Sequence, residues 1–151
     1  MKNTLLGIVA TALLLLGTGA PAQASERGLH PDVRYALEAV PSGVIVDDTT
    51  VVWPELDMTL TVASSTGRSV GSCATGTYCA YSGSNRSGTK LAFGVCTVVS
   101  TSALAVVGSI ANARPSGNVQ ARTSAGTILA TAGAGTGVNV ATGTASLRCN
   151  L

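Results

Sequence analysis

The sequence predicts a mainly β protein, a small Greek-key sandwich preceded by a short helix and a hairpin. Three observations carry this. Beyond residue 63 the chain is built from Gly, Ala, Ser, Thr and Val, with short β-branched runs at 97–100, 105–107, 127–131 and 138–141 set between Gly, Ser and Asn turn residues. No stretch in that region repeats its apolar residues at a helical period over a useful length. The one helix signal and the clearest hairpin signal both fall earlier, between residues 30 and 62.

The first 24 residues read as a targeting segment. Lys2 supplies a positive start, residues 5–16 form a twelve-residue apolar run, and Ala22-Gln23-Ala24 is a small-x-small cleavage signal. A bilayer-spanning helix needs roughly 20 apolar residues, so the run is too short to span as one, and an N-terminal anchor is the alternative reading. The expectation is a cleaved signal peptide over 1–24 and a secreted, extracellular mature chain of 151 − 24 = 127 residues with no transmembrane segment.

Residues 25–62 form an acidic segment. Pro31 suits the first position of a helix over 31–40, Asp32 favours its positive N-terminal end, and Val33, Leu37 and Val40 share one face. Pro41-Ser42-Gly43 stops it. Residues 44–46 and 49–53, joined by Asp47-Asp48, signal a hairpin, and 58–62 alternates as a further strand. Pro54 removes a ladder donor and so places the 49–53 stretch at a sheet edge.

Residues 63–72 are a small polar linker, and 73–151 are the β domain. Charge divides at the same place. Seven acids against Arg27 and Arg34 give residues 25–57 a charge of −5, whereas 58–151 hold six bases and no acid, +6. Opposite charge on two parts of one small chain favours folding the first onto the second. On that reading a chain starting at Ala63 folds but is less stable. A net charge of only +2 over the whole sequence excludes a strongly basic nucleic-acid binder.

Four cysteines, Cys73, Cys79, Cys96 and Cys149, imply disulfides in an exported chain. Three pairings exist, and the expected one joins Cys73 to Cys79 and Cys96 to Cys149. Zinc coordination calls for tighter pairs, and no metal or other cofactor is expected. His30, the only histidine, sits at a helix start as an exposed residue, far from any nucleophile turn, so acyl-transfer chemistry has no foundation. Paired carboxylates exist only in the acidic segment, where solubility and docking account for them. The 132–137 run AGAGTG lacks dinucleotide spacing, and Asn85-Arg86-Ser87 is a glycosylation sequon. The expectation is a protein that is not an enzyme.

The stretch 73–93, CATGTYCAYSGSNRSGTKLAF, resembles the secreted actinobacterial peptidase inhibitor I36 family, whose fold is βγ-crystallin-like. Cys73, Tyr78, Cys79, Tyr81, Gly83, Gly88, Leu91, Phe93 and Cys96 stand where that family opens its first Greek-key unit. In such a corner Gly83 and Gly88 permit positive-φ turns and Tyr81 covers the apolar underside. Residues 107–112 and 144–149 resemble the closing strands of two paired units. Two departures stand out. Val107-Gly108 and Thr142-Gly143 replace the Asn/Asp pairs of calcium-binding crystallin units, so no calcium site is expected. Between Cys96 and Cys149 no further Cys closes the short loop associated with inhibitory members.

Two functions follow as expectations. One is inhibition of secreted proteases by loop insertion, with candidate loops at 82–89, carrying Ser84 and Arg86 with Lys90 just beyond, and at 112–120, carrying Arg114 and Pro115. The other is an extracellular binding or structural module for an anionic cell-surface polymer, a carbohydrate or another protein.

Overall fold

A computed structural model describes residues 28–63 and 73–151; residues 1–24, read above as a signal peptide, and all of the linker except Ala63 lie outside the described residues. Helix α1 spans Pro31–Ala39. His30 caps it: the imidazole Nδ1 accepts the Asp32 N–H at 3.2 Å, so the lone histidine is half-buried and occupied in a structural bond. Val33 and Ala36 are buried, with Leu37 and Val40 packed against the core beside them. The His30 N–H donates to the Asp48 carbonyl at 2.9 Å, which ties the helix start to the following hairpin turn.

That hairpin is β1 (Val44–Ile45) and β2 (Thr50–Trp53), in register Val44 with Val52 and Ile45 with Val51. Its turn is fixed by Asp47, whose Oδ1 accepts from both the backbone N–H and the hydroxyl of Thr49 at 2.8 Å. Those two bonds hold the Asp47 carboxyl below its ordinary range. A 3-10 turn over Pro54–Leu56 leads to β3 (Met58–Thr61), which pairs back on β2. The edge position expected from Pro54 does not hold. Pro54 falls after the last ladder residue, at the start of the turn where no strand donor is needed, so β2 lies between β1 and β3.

The remaining strands are β4 (Tyr78–Tyr81), β5 (Lys90–Phe93), β6 (Val98–Ser100), β7 (Ser109–Asn112), β8 (Asn118–Arg122), β9 (Ile128–Gly133), β10 (Gly137–Asn139) and β11 (Ser146–Asn150). They form two antiparallel sheets, β1-β2-β3-β5-β4-β7-β10 and β6-β11-β8-β9. The mainly β expectation, with one short helix, is what the structure shows. The connectivity repeats. β4 and β5 are a hairpin, β6 leaves for the second sheet, and β7 returns beside β4; β8 and β9 are a hairpin, β10 leaves for the first sheet, and β11 returns beside β8.

Two sequence expectations change. Residues 105–107 form no strand: Val107 buries its side chain without entering a ladder, because Gly108 is pressed against the 82–83 backbone so closely that a Cβ there would lie 2.7 Å from the Gly83 carbonyl carbon. Residues 118–120, expected in a loop, begin β8 and alternate half-buried with buried side chains.

β3 pairs with β5 through Met58–Phe93, Thr59–Ala92, Leu60–Leu91 and Thr61–Lys90, so the acidic segment continues the sheet of the β domain. One hydrophobic cluster contains Val33, Trp53 and Leu60 together with Tyr78, Ile110, Val119 and Leu147. Trp53 is 2% exposed and its indole N–H donates to the Val40 carbonyl at 2.9 Å. We expect blue-shifted emission from this single tryptophan that moderate salt leaves unchanged, since burial and not surface charge holds it; emission like that of a free peptide would contradict the packing.

Tyr78 and Tyr81 are fully buried, and burial pushes both phenols above their ordinary value. A folded-state pKa above the unfolded value of 10.0 means that folding favours the neutral phenol. Their contribution to stability is therefore constant below pH 10 and is lost as pH rises through the shifted values. Spectrophotometric titration near 295 nm should show two phenols ionising late and together with alkaline unfolding; titration of Tyr78 and Tyr81 near the ordinary value, ahead of unfolding, would contradict this.

Candidate binding cleft at the 84–86 loop

The β4–β5 connection folds back as a 3-10 turn over Ser84–Arg86. Its backbone is unusual: Asn85 (φ 54°) and Arg86 (φ 61°) are consecutive left-handed residues. Such conformations cost of order 1–3 kcal/mol each for ordinary residues and persist only where the surroundings impose them. Gly88 has the expected positive φ of 76°, but Gly83 does not. Glycine is needed at 83 for space, because a Cβ there would lie 3.1 Å from the Ser87 carbonyl oxygen and closer still to its hydroxyl. The positive-φ positions are therefore 85, 86 and 88.

Side chains from other strands hold the turn. The Arg86 N–H donates to Ser109 Oγ at 2.9 Å, and the Ser109 hydroxyl donates to the Gly83 carbonyl at 2.7 Å. The Asn85 N–H donates to Asn139 Oδ1 at 2.7 Å, while Asn139 Nδ2 donates back to Asn85 Oδ1 at 3.1 Å. Ser109 and Asn139 are cross-strand partners in the β7–β10 ladder, so two neighbouring strands hold the loop together. Beside the loop opens a cleft of about 370 Å³, lined by Asn85, Arg86, Ser109 and Asn139 and by the backbone at Gly135 and Gly137. The Arg86 stem lies on Gly137, where a Cβ would come within 3.3 Å of Arg86 Cδ. Arg86 is exposed, and among the described residues its guanidinium makes no hydrogen bond or ion pair. Among the described residues no carboxylate lines the cleft. The same cation lies near enough to Tyr81 to offset part of the upward shift of that phenol.

The candidate residues separate in the structure. Ser84 is exposed in this turn, and its carbonyl accepts the Ser87 hydroxyl at 2.7 Å. Lys90 stands at the start of β5, half-buried, and burial lowers its pKa. Arg114 lies at the opposite end of the β4–β5 hairpin and turns inward: its Nη1 donates to the Gly76 and Gly94 carbonyls at 3.1 and 3.2 Å. That guanidinium fastens the molecule to itself, leaving Pro115 exposed in a loop reduced to residues 113–117. Asn85 stood out in the sequence only as part of a glycosylation sequon, and Ser109 and Asn139 carried no signal of a cleft, since short polar residues in a chain rich in them look like turn residues until the strands bring them together.

Disulfides join Cys73 to Cys79 and Cys96 to Cys149, which fits an oxidising compartment. No helix among the described residues is long and apolar enough to cross a membrane. Among the same residues no three His, Cys, Asp or Glu side chains gather where they could hold a metal ion. Melting curves in excess calcium and in chelator should coincide, because a cation bound only by the folded state would raise stability; an upward shift with calcium would reveal a site. No family model, no curated protein and no solved structure matches this chain.

Proposed function

We propose that the protein is a secreted, non-enzymatic module of βγ-crystallin-like double Greek-key type that binds an anionic cell-surface polymer in the 84–86 cleft. The fold reading is supported by the two repeats in which the third strand of each unit crosses to the other sheet. The binding reading is carried by one observation: a locked, unpaired arginine at a polar, carboxylate-free cleft. Arginine presents a planar fork of donors that matches carboxylate or phosphate groups, and Asn85 and Asn139 add amide groups suited to hydroxyls of a polymer repeat. Holding Asn85 and Arg86 in left-handed backbone before any ligand arrives reduces the ordering that binding must supply.

The test uses polyuronate and poly(glycerol phosphate) as probes in calorimetric titrations at low and moderate salt. Arg86→Gln should weaken binding by roughly 10- to 100-fold, as expected for a charge-assisted contact of about 1.5–3 kcal/mol, with melting unchanged. Equal binding by both proteins would remove the cleft from consideration. Protease inhibition is the second reading, favoured by the rigidity of the same loop and the exposure of Arg86. It requires that the mature protein inhibit a secreted protease and that Arg86→Gln abolish the inhibition. The inward-turned Arg114 gives no comparable support to the 113–117 loop.

A further inference from the structure

We infer that Tyr81 completes the anion site, an inference that rests on the cleft reading above: an oxyanion held by the Arg86 guanidinium also accepts the Tyr81 O–H. Tyr81 on β4 stands opposite Ser109 on β7, and Ser109 stands opposite Asn139 on β10, so the three side chains form one row on one face of the first sheet. Ser109 and Asn139 line the cleft, and Tyr81 is the next member of their row. Its ring packs with Ala111, two residues along β7 from Ser109 and on the same face. The Arg86 stem reaches the same place. A Cβ on Gly137 would lie 3.3 Å from Arg86 Cδ and 3.5 Å from Ala111 Cβ, so the arginine crosses β10 towards the alanine against which Tyr81 packs.

Tyr81 is fully buried, and among the described residues its hydroxyl has no hydrogen-bond partner. Buried polar groups are nearly always paired, because one left without a partner destabilises the fold, so this hydroxyl calls for an acceptor that the chain does not supply. Its surroundings favour negative charge. Burial raises the phenol pKa, whereas the Arg86 cation and then the Cys73 backbone act in the other direction, towards the charged form. Lys90, half-buried and directly opposite Tyr81 on β5, puts a second cation on this face, and the row of Lys90, Tyr81, Ser109 and Asn139 contains no carboxylate.

The chemistry of the two donors selects the occupant. A neutral sugar hydroxyl can accept the phenol hydrogen but leaves the guanidinium charge unmatched, and a metal cation is repelled by Arg86 and Lys90 alike. A carboxylate or a phosphoryl group carries two charged oxygens, one for each donor, and charge-assisted bonds of this kind are about twice as strong as neutral ones. The guanidinium is exposed and the hydroxyl is not, so the anion meets Arg86 first. The arginine stem, which lies over the exposed Gly137, is the part that shifts to bring the second oxygen onto the phenol.

Tyr81→Phe keeps the ring and deletes only the hydroxyl. In the disulfide-bonded chain beginning at Ser25 this variant should melt at or above the wild-type temperature, because it loses an unpaired hydroxyl, yet bind poly(glycerol phosphate) or polyuronate roughly tenfold more weakly, as for a hydrogen bond to a charged group. With ¹³C-labelled tyrosine, inorganic phosphate or acetate at constant ionic strength should shift the Tyr81 Cζ resonance and leave that of Tyr35 in place, and whichever anion does so identifies the charged group of the polymer. Wild-type affinity in Tyr81→Phe beside weakened binding in Arg86→Gln would overturn the inference and leave the cleft reading standing, whereas wild-type affinity in both variants would overturn both. A Tyr81 resonance that neither anion moves, or a marked fall in melting temperature for Tyr81→Phe, would also overturn the inference, the latter by giving the hydroxyl a structural partner.

Discussion

A chain beginning at Ala63 is expected to lose cooperative unfolding, with a melting transition that is broad or absent where a chain beginning at Ser25 melts sharply. Truncation strips α1, β1, β2 and β3 from the first sheet and leaves β5 as a bare edge. It also removes Val33, Ala36, Val51, Trp53, Met58, Leu60 and Val62, all buried in the one core cluster. A single buried Leu or Trp replaced by Ala costs about 2–5 kcal/mol, and whole-domain stability is typically about 5–15 kcal/mol. Loss of seven buried side chains together therefore exceeds what residues 73–151 can absorb. Circular dichroism melts and amide exchange of the β4–β5 hairpin measure it. A sharp transition near that of the chain beginning at Ser25 would mean that the β domain stands alone. This departs from the milder loss that charge division suggests, because exposed ion pairs contribute about 0–1 kcal/mol each whereas strand pairing and core burial contribute far more.

Where the sequence was legible, it was legible through local chemistry. Pro31 and Asp32 opened α1, the Asp47-Asp48 turn marked the first hairpin, and alternation in residues 58–62 marked β3. β8 was harder: Asn118-Val119-Gln120-Ala121-Arg122 does alternate, but Ala121 is a weak apolar signal and the segment follows a Pro-Ser-Gly turn. Residues 105–107 misled in the opposite direction, since β-branched side chains reward burial as much as pairing, and Val107 is buried from a loop. The cleft was half legible. Arg86 stood out as a cation in a polar hairpin, whereas Ser109, which accepts from the Arg86 N–H, and Asn139, which accepts from the Asn85 N–H, lie 23 and 54 residues from those groups. Arg114 looked like a displayed side chain because nothing local reveals that the Gly76 and Gly94 carbonyls await it.

Replacing Cys96 and Cys149 together by Ala is expected to cost about twice as much stability as replacing Cys73 and Cys79. In the chain-entropy account a cross-link stabilises by restricting the unfolded chain, so a 54-residue loop contributes about 4 kcal/mol and a seven-residue loop about 2 kcal/mol. The structure gives the longer link a second role. Cys96 lies where the chain leaves β5 for the second sheet, and Cys149 sits on β11 at the middle of that sheet, so the bond staples the crossover to the strand on which β6 pairs. Cys73–Cys79 closes a turn that the Ala113–Thr77 and Gly76–Ala113 backbone bonds already hold. For a domain of this size about 4 kcal/mol corresponds to a fall in Tm of roughly 15 °C, about double that for the shorter loop. Calorimetry of the two double variants decides the point, and equal falls, or a larger one for Cys73/Cys79, would contradict it. β6 should suffer first in the Cys96/Cys149 variant, because among the described strands its three residues pair with β11 alone, and faster amide exchange confined to Val99 and Thr101 before global melting is the expected sign.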